Sequence, residues 1–256
     1  MRTLTNQIYK TEHGRDLKLD IFYPDGKKTD GCVIAIHGGG WVSGEKEDVH
    51  PIAESFAQSG ITCACVEYRL APLHPYPAAV RDCQSLVEYL RLNAEELQIH
   101  PDKIGAFGNS AGGHLSSCLV VRDDLEGSKT SVRVNCAVNI SGLVDLTNPK
   151  EQFPEIAWDF LGQFMGVPFE GNEQIWADAS PLFHINENTS PILIFHGECD
   201  DVVYPEQSQR FYELLKTSGI KTDLKILKGE WHSFSPSAFD SIMNESKTFF
   251  LECFEK

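Results

Sequence analysis

Residues 108–112 read Gly-Asn-Ser-Ala-Gly and place a serine, Ser110, between two glycines. The apolar run 104–107 precedes this stretch, and apolar side chains at helical spacing follow it in 111–121. This order of strand, tight turn and helix is the context of a nucleophile elbow, in which the glycines let the strand and the helix approach each other closely. The pattern therefore predicts that Ser110 is a nucleophile that attacks an acyl carbon.

A serine hydroxyl needs a neighbouring base, because it is barely ionised at neutral pH. The base is usually a histidine that a carboxylate orients, and with this elbow the order along the chain is serine, acid, histidine. Of the nine histidines, His232 lies in a loop beyond the last apolar parallel strand, so we predict that it is the base. His114 falls inside the helix that follows the serine and is expected to point away from it. His37 and His196 each precede a glycine at the end of a strand, and we expect them to hydrogen-bond loops.

The acid must come from the loop after the late apolar strand 192–195. This loop, 196–203, reads His-Gly-Glu-Cys-Asp-Asp-Val-Val and contains three carboxylates. Asp200 is the favoured candidate, and Glu198 and Asp201 remain as alternatives. A helix is expected to follow the loop, so the structural interpretation of Asp201 is a helix N-cap.

The intermediate of acyl transfer carries an oxyanion, which at least two preorganised N–H donors must stabilise. Residues 37–41, His-Gly-Gly-Gly-Trp, directly follow the first parallel strand, and glycines there let backbone amides approach a substrate closely. The N–H of Ala111, at the start of the helix after the nucleophile, is a further donor. A phosphate cradle is the alternative for a glycine-rich loop. Neither a Lys-Ser/Thr ending nor a Gly-x-Gly-x-x-Gly pattern that opens a helix is present, however.

The 37 acidic and 22 basic residues leave a formal charge of -15, which would repel nucleic acid and an anionic membrane over most of the surface. No window approaches the ~20 apolar residues of a spanning helix, and residues 1–7 lack the apolar centre of a signal peptide. We therefore expect a cytoplasmic protein, or a secreted one if a leader has been removed. The eight cysteines form no Cys-x-x-Cys pair or Cys/His cluster, so we expect buried, reduced thiols and no metal site.

Alternating apolar and polar residues in 4–10 and 17–23 predict an antiparallel edge hairpin. After it, strands that are apolar throughout alternate with helical stretches, which is typical of a parallel sheet covered on both faces. These strands are 32–36, 61–66, 104–107, 134–140 and 192–195, with 223–227 as a mixed edge strand; the helices are 49–58, 78–97, 111–121, 206–218 and 236–254. The sequence therefore predicts one α/β domain, residues 1–256, with a mostly parallel sheet of about eight strands and helices on both faces.

The region between the predicted strands 134–140 and 192–195 breaks this alternation. It is rich in aromatic side chains, which are Phe153, Trp158, Phe160, Phe164, Phe169, Trp176 and Phe183. Connections of this length are rarely structureless unless they are functional, so we predict a small lid insertion, about 142–190, over an apolar pocket. Helices that complete the core are the alternative, and a mixture of both is expected. The predicted pocket residues are Trp41, Trp158 and Phe164.

Six motifs follow one another between residues 32 and 235. They are 37–41; 68–72, Tyr-Arg-Leu-Ala-Pro; 76–79, Tyr-Pro-Ala-Ala, with Asp82; 108–114; His196-Gly197 with Asp200; and His232. Together they resemble the hormone-sensitive-lipase-like carboxylesterases and their small relatives in the α/β-hydrolase superfamily. The resemblance implies an α/β-hydrolase fold in which Ser110 is the nucleophile, Asp200 the acid and His232 the base.

The same resemblance assigns roles to the backbone around the serine. It implies that the amides of Gly39, Gly40 and Ala111 stabilise the oxyanion. It also implies that the segment 68–77 is a scaffold that packs behind the oxyanion loop and does not contact substrate.

Two features distinguish this chain within the group that it resembles. Only a short stretch precedes the first parallel strand, where members of the group usually carry a longer cap, so a lid must come from about 142–190. In addition, the tryptophan after the three glycines, Trp41, is similar to that of compact esterases acting on acetyl or feruloyl groups of plant polysaccharides, and to that of kynurenine formamidases.

The predicted reaction is hydrolysis of small or short-acyl carboxylic esters through a Ser-His-Asp triad and an acyl-enzyme, with no metal or organic cofactor. A polysaccharide acetyl or feruloyl esterase and a formamidase-like amidase would use the same residues and remain as alternatives. A non-catalytic receptor on the same scaffold is disfavoured, because serine, acid and histidine are all present in order. The expected partner is a small-molecule ester, and the protein is expected to be a monomer or a homodimer.

Overall fold

Eight strands form one continuous sheet in the computed structural model, which describes residues 1–255. The strands are β1 (Arg2–Glu12), β2 (Arg15–Tyr23), β3 (Cys32–Ile36), β4 (Thr62–Val66), β5 (Ile104–Asn109), β6 (Cys136–Ile140), β7 (Ile192–Gly197) and β8 (Thr222–Leu227). Their order across the sheet is β1-β2-β4-β3-β5-β6-β7-β8, and only pairs that include β2 are antiparallel. This confirms the predicted α/β fold with a mostly parallel sheet. Lys256, the last residue of the predicted domain, lies outside the described residues.

The central strands are buried on both faces, as their continuous apolar sequences predict. Every residue of β3, β4, β6 and β7 is buried, whereas every residue of β8 is exposed or half-buried, as expected of an edge strand. The strand predicted over 134–140 begins two residues later, because the N–H of Val134 bonds to the carbonyl of Leu119 at the end of a helix. At the other end of the sheet, β5 and β7 each continue two residues beyond their predicted limits.

Helices cover both faces of the sheet and separate the apolar core into two clusters. They are α1 (His50–Gln58), α2 (Ala78–Leu92), α3 (Ala111–Val121), α4 (Pro149–Gln152), α5 (Glu155–Met165), α6 (Glu173–Asp178), α7 (Glu206–Thr217) and α8 (Pro236–Phe254). On one face α1 and α8 meet, and the rings of Phe56 and Phe250 pack edge to face at 5.7 Å. On the other face, α2, α3, α5 and α7 contribute to the larger cluster. Both faces are therefore closed to water.

Helix α2 ends at Leu92, although the apolar spacing predicted a helix over 78–97. Both the backbone N–H and the side-chain amide of Asn93 donate to the carbonyl of Tyr89, which caps the helix at this point. The chain then continues in turns, and Leu97 is buried without being helical. The apolar spacing continues beyond the end of the helix because these turn residues are buried, not because they are helical.

The segment between β6 and β7 contains α4, α5 and α6. Its aromatic residues are divided between the core and the surface, as the expected mixture of core helices and lid requires. Phe153, Phe164 and Trp176 are buried in the larger core cluster. Trp158 and Phe183, in contrast, are 36% and 54% exposed. The segment therefore completes the core on its inner side and presents aromatic surface on its outer side.

The loops after β3 and β5 meet at the carboxyl edge of the sheet. From β3 the chain crosses to β4 on one side, whereas β5 adds to the other side of β3. Such a reversal of strand order opens a crevice beyond the strand ends, where open α/β sheets bind ligands. The stretch 37–41 and Ser110 both lie at this crevice.

Candidate active site

Ser110 lies on a strained turn between β5 and α3. Its backbone angles are φ 56° and ψ -121°, a conformation that side chains other than glycine rarely adopt. A Cβ on Gly108 would lie 2.2 Å from the backbone of Gly112, and one on Gly112 would lie 2.2 Å from the carbonyl oxygen of Ile36. The two glycines are therefore required because α3 packs directly on the ends of β3 and β5.

The structure brings Ser110, His232 and Asp200 together, although they come from three distant parts of the chain. The hydroxyl Oγ of Ser110 lies 3.0 Å from Nε2 of His232, and Nδ1 of His232 lies 2.7 Å from Oδ2 of Asp200. With the carboxylate as acceptor, Nδ1 carries the proton and Nε2 is free to accept the serine proton. This is the arrangement of an activated serine nucleophile.

The carboxylate of Asp200 is buried and accepts hydrogen bonds on both oxygens. Oδ1 accepts the backbone N–H groups of Val202 and Val203, at 3.0 and 2.8 Å. Oδ2 accepts from His232 and lies 3.2 Å from Nε2 of His196. Burial raises the pKa of Asp200, but the hydrogen bonds from His196 and His232 outweigh it and hold that pKa well below its usual range. The group is therefore a carboxylate at any pH at which the protein would work.

The loop that carries His232 is tied to the loop that carries Asp200. The N–H of Cys199 donates to the carbonyl of Glu230 at 2.8 Å, and the N–H of Gly229 donates to the side chain of Glu198 at 2.9 Å. A Cβ on Gly197 would lie 2.5 Å from the carbonyl oxygen of Glu230, so only glycine allows this approach. The two loops therefore form one unit that places the histidine.

These contacts also show what the two alternative acids do. Glu198 bridges the two loops, and Asp201 is exposed. The structural interpretation of Asp201 was wrong, because α7 begins at Glu206 and its N-cap is Pro205. Asp200 is thus the carboxylate of this loop that bonds to His232.

The contact between His196 and Asp200 is a feature that the sequence did not predict. We expected this histidine to hydrogen-bond a loop, and its Nε2 does lie 2.8 Å from the carbonyl oxygen of Val203. The only sequence signal for the further contact is the spacing of four residues across a tight turn after β7.

The glycine loop lies against the nucleophile. A Cβ on Gly38 would lie 3.1 Å from the carbonyl oxygen of Asn109 and 3.5 Å from Cβ of Ser110. Gly39 and Gly40 have φ values of +97° and +59°, which glycine adopts without strain. Within the described residues, neither of their N–H groups donates to a backbone carbonyl. These two amides are therefore not used in backbone hydrogen bonds of the described residues.

The N–H of Ala111 lies at the first position of α3, where no intrahelical acceptor exists. It directly follows the nucleophile and adds the positive end of the helix dipole to the two glycine amides. The predicted donors at Gly39, Gly40 and Ala111 thus lie on the glycine loop that contacts Ser110 through Gly38 and at the first position of α3.

Tyr68 holds the glycine loop from behind. Its hydroxyl lies 3.0 Å from the carbonyl oxygen of His37 and 3.2 Å from that of Gly38, and its ring stacks on that of His37 at 4.2 Å. Burial lowers the pKa of His37, although a hydrogen bond to the carbonyl of Gly38 opposes the effect. The carbonyls of His37 and Gly38 thus accept hydrogen bonds from Tyr68. This matches the scaffold role that the resemblance implied for the segment 68–77.

Two of the three predicted pocket residues belong to the core, which corrects the expectation that they contact substrate. Trp41 and Phe164 are buried, and their rings stack at 4.1 Å. The indole Nε1 of Trp41 donates to Nδ1 of His114 at 3.2 Å, and Nε2 of His114 donates to the carbonyl of Ala179 at 2.8 Å. Neither ring presents surface to a ligand. Phe164 lies on α5, so stacking against this helix buries the indole of Trp41. Burial of both rings is more favourable than their exposure to water.

Trp158, the third predicted pocket residue, lines a cavity of about 850 Å³ on the outer side of α5. Other lining residues are Pro72, Pro75, Pro149, Gln163, Phe169 and Trp176. No residue of the Ser-His-Asp array and no glycine of the loop 37–41 lines it. The inner side of α5 faces that loop instead, because a Cβ on Gly40 would lie 3.0 Å from Cβ of Phe160. Helix α5 therefore separates this cavity from the glycine loop.

A cluster of possible metal ligands lies elsewhere. One ligand atom from each of Asp20, Glu47 and His50 lies within 4.8 Å of the others. The ammonium of Lys46 is 2.6 Å from Oδ2 of Asp20 and also contacts Glu47. The buried carboxylate of Asp20 is therefore already paired with the ammonium of Lys46, and we interpret the cluster as an ion-pair network.

A family model with the description BD-FAE matches residues 19–215, which is most of the chain. The chain belongs to the BD-FAE family. This assignment, with the fold, confirms the resemblance to hormone-sensitive-lipase-like members of the α/β-hydrolase superfamily. Within the described residues of this BD-FAE chain, no helix is both long and apolar enough to cross a bilayer.

Individual proteins similar to this BD-FAE chain include curated sequences and solved structures. A probable carboxylic ester hydrolase of Mycobacterium tuberculosis, LipM, is 30% identical over 80% of this chain and 50% of its own length. A truncated carbohydrate esterase from gut microbiota has 26% identity and a TM-score of 0.87 over 100% of this chain and 97% of that one. Thermogutta terrifontis esterase 2 phosphonylated by sarin has 29% identity and a TM-score of 0.84 over 96% and 94%. The chain spans about half the length of the curated relatives it matches.

Proposed function

We propose that this protein is a serine hydrolase of small or short-acyl carboxylic esters. The observation that carries the proposal is the continuous hydrogen-bonded array from Ser110 through His232 to Asp200, with distances of 3.0 and 2.7 Å. The esterase names of its relatives support the same reaction class.

In the proposed mechanism, His232 takes the proton of Ser110 through Nε2 as the serine oxygen attacks the ester carbonyl. The charged carboxylate of Asp200 stabilises the imidazolium that forms. The same imidazolium then gives its proton to the departing alcohol, and an acyl-enzyme remains. Water, activated by His232 in the same way, releases the acid and restores the serine.

The N–H groups of Gly39, Gly40 and Ala111 are proposed to hold the negative oxygen of both tetrahedral intermediates. They are backbone groups on a loop and a helix end that are fixed before substrate binds, so no reorganisation is needed at the moment of reaction. The strained conformation of Ser110 supports the same proposal, because a turn of this kind exposes the serine oxygen, which lies 3.0 Å from Nε2 of His232.

The segment 142–190 is proposed to act as a lid on this domain. Its support is the contact of Phe160 with the glycine loop on the inner side of α5, together with the aromatic surface on its outer side. Trp158 is proposed to contact only the part of a bulky substrate that extends past α5 into the cavity that it lines, since α5 separates this cavity from the glycine loop.

Replacing Ser110 with alanine tests the assignment of the nucleophile. We expect hydrolysis of p-nitrophenyl acetate to fall about a thousandfold or more, because only binding and the oxyanion amides remain. A fluorophosphonate probe is expected to label the parent protein and not this variant. Circular dichroism and thermal unfolding confirm that the variant is folded. A folded variant that keeps most of the activity would reassign the nucleophile.

A polysaccharide acetyl or feruloyl esterase is the second candidate, because the chain is similar over its whole length to a solved carbohydrate esterase. A series of p-nitrophenyl esters from acetate to decanoate measures the acyl preference. Comparison with acetylated xylan, methyl ferulate and N-formylkynurenine separates a general esterase from a polysaccharide esterase and from a formamidase-like amidase. A preference of more than tenfold for one of these substrates assigns the class.

We further propose that the protein works in a reducing compartment such as the cytoplasm and that it is a monomer or a homodimer. Within the described residues, six of the eight cysteines are buried, as expected of reduced core thiols, which supports a reducing environment. Light scattering during size-exclusion chromatography determines the oligomeric state.

A further inference from the structure

His196 is a second histidine on the carboxylate of Asp200, and the proposed mechanism does not use it. It lies on β7 and is fully buried. Its Nε2 is 3.2 Å from Oδ2 of Asp200 and 2.8 Å from the carbonyl oxygen of Val203. Its Nδ1 is 2.7 Å from Oγ of Ser208 on α7. A chain of four polar groups therefore runs from α7 to His232.

The neighbours of His196 determine where its proton lies. Both groups next to Nε2 are acceptors, so Nε2 carries a proton. On the neutral ring Nδ1 must then accept, and the hydroxyl of Ser208 donates to it. Ser208 is itself fully buried, and the side-chain oxygen of the preceding residue, Gln207, accepts the backbone N–H groups of Val144 and Asp145 at 2.9 Å. The helix that holds the ring is thus anchored to the rest of the protein.

We propose that His196 is a positioning residue for the reaction. Its Nε2–H shares Oδ2 of Asp200 with His232, fixes the orientation of the carboxylate and limits how strongly the carboxylate draws the Nδ1 proton of His232. By donating to Nδ1, Ser208 fixes the orientation of the ring and so keeps Nε2–H directed at Oδ2 of Asp200. This inference rests on the proposed function of the Ser-His-Asp array.

Other titratable groups surround this array without entering it. On the loop of Asp200 they are Glu198, Cys199 and Asp201; on the loop of His232 it is Glu230; and at the start of α7 it is Glu206. Glu198 is engaged by the N–H of Gly229, and Glu230 by the backbone and hydroxyl of Ser235. The charge that His232 senses at hydrogen-bond distance is therefore that of Asp200.

Loss of the shared donor has a consequence that packing alone would not produce. Without it, Oδ2 accepts only from His232, so this bond strengthens and the imidazole of His232 becomes more basic. The fraction of enzyme with a protonated, inactive base then grows at a given acidic pH. The acid limb of the rate should move to higher pH, and the turnover should fall because the carboxylate is less well oriented.

The experiment compares Ser208→Ala, His196→Leu and His196→Gln with the parent protein. The pH dependence of kcat/KM for p-nitrophenyl acetate and of inactivation by a fluorophosphonate is measured from pH 4.5 to 8.5. For the first two variants we expect the acid midpoint to rise by about half a unit to one unit, and kcat to fall about tenfold while KM stays within about twofold. In His196→Gln, the amide N–H can reach the place of Nε2–H, so the midpoint should return toward that of the parent.

Ser246→Ala is the matched control, because Ser246 is a fully buried helix serine on α8 whose hydroxyl donates to Ile242 at 2.7 Å. It should lower the melting temperature as Ser208→Ala does and leave the acid midpoint unchanged. If His196→Leu does not fold, Ser208→Ala decides. If Ser208→Ala and His196→Leu are folded and both have the same acid midpoint as the parent protein, the inference is overturned. Absence of labelling in the parent at every pH would instead contradict the proposed function itself.

Discussion

Individual residues of the site are held where their own preferences would not put them. Ser110 adopts a positive φ of 56° because α3 and the end of β6 hold it, with its N–H bonded to the carbonyl of Ile140 at 2.9 Å. Such strain costs roughly 1–3 kcal/mol and persists only where the surroundings determine it. Trp41 also has a positive φ, of 60°, and its ring is locked between Phe164 and His114. Side-chain packing thus fixes the backbone at the end of the glycine loop 37–41.

The tryptophans at 41 and 158 give a matched pair of substitutions. Trp41→Ala should lower the free energy of unfolding by about 3–5 kcal/mol, because it removes a fully buried indole and leaves His114 without its donor. Trp158→Ala, at a side chain that is 36% exposed, should cost less than about 1 kcal/mol. Urea denaturation followed by circular dichroism measures both.

The same pair tests the substrate contact proposed for Trp158. In Trp158→Ala, KM should rise for a bulky ester and stay constant for p-nitrophenyl acetate. An equal loss of stability in the two variants would contradict the assignment of Trp41 to the core.

At the scale of elements, a buried arginine fastens the segment between β6 and β7 to α3. Arg122, at the end of α3, donates through Nη1 to the hydroxyl of Tyr76 at 2.8 Å and to the carbonyl of Asp178 at 2.7 Å. Its Nε donates to both oxygens of Asp124 at 3.1 Å. One side chain therefore joins α3, the end of α6 and the start of α2. The position of the proposed lid depends on such a joint, because α6 is only six residues long.

Arg122→Met should loosen this joint. It removes the guanidinium from the hydroxyl of Tyr76 and from the carbonyl of Asp178, which Nε2 of His184 still approaches at 2.8 Å, and this should lower stability by about 1–3 kcal/mol. For a protein of this size, each kcal/mol lowers the melting temperature by about 2–4 °C. Limited proteolysis should cut first within 142–190. Arg81→Met, at a half-buried arginine on α2, is the control and should leave the cleavage pattern unchanged.

At the scale of the whole molecule, buried histidines make stability depend on pH. Burial lowers the pKa of His114 to about 4, because the surrounding core disfavours a charged ring. An exposed histidine in the unfolded chain has a pKa of about 6.5. Between these two values the unfolded chain binds a proton that the folded protein does not, so stability falls as the pH falls. The pKa of His37 is also lowered, mainly by burial, and acts in the same direction.

The expected loss from His114 is about 3 kcal/mol between pH 6.5 and pH 4. Above this window the ring is neutral in both states, and below it the ring is protonated in both states. In His114→Gln, which keeps a side-chain donor for the carbonyl of Ala179, the slope should become clearly smaller, whatever the absolute stability. Urea denaturation at half-unit steps of pH measures the slopes. Parallel curves for parent and variant would show that another group is responsible.

Much of this architecture follows from short-range patterns in the chain. The glycines at 108 and 112 predict the elbow at Ser110, and the apolar runs predict the central strands. These features depend on the conformational freedom and burial of residues a few positions apart. The end of α2 was misplaced, because a side chain that is buried in a turn has the same apolar spacing as one that is buried in a helix. The contact between His196 and Asp200 was missed for a related reason, since spacing alone does not show which way a side chain points.

By itself, the sequence determined the fold class, the sequence of buried and edge strands, and the three residues that are proposed to perform acyl transfer, because each depends on residue type and local order. Only the tertiary structure decided that Trp41 and Phe164 stack in the core, that α5 separates the cavity beside Trp158 from the glycine loop, and that His196 shares an oxygen with His232. These contacts join segments that are far apart in the chain. Their distances depend on how whole helices and loops pack against the sheet, which no local pattern records.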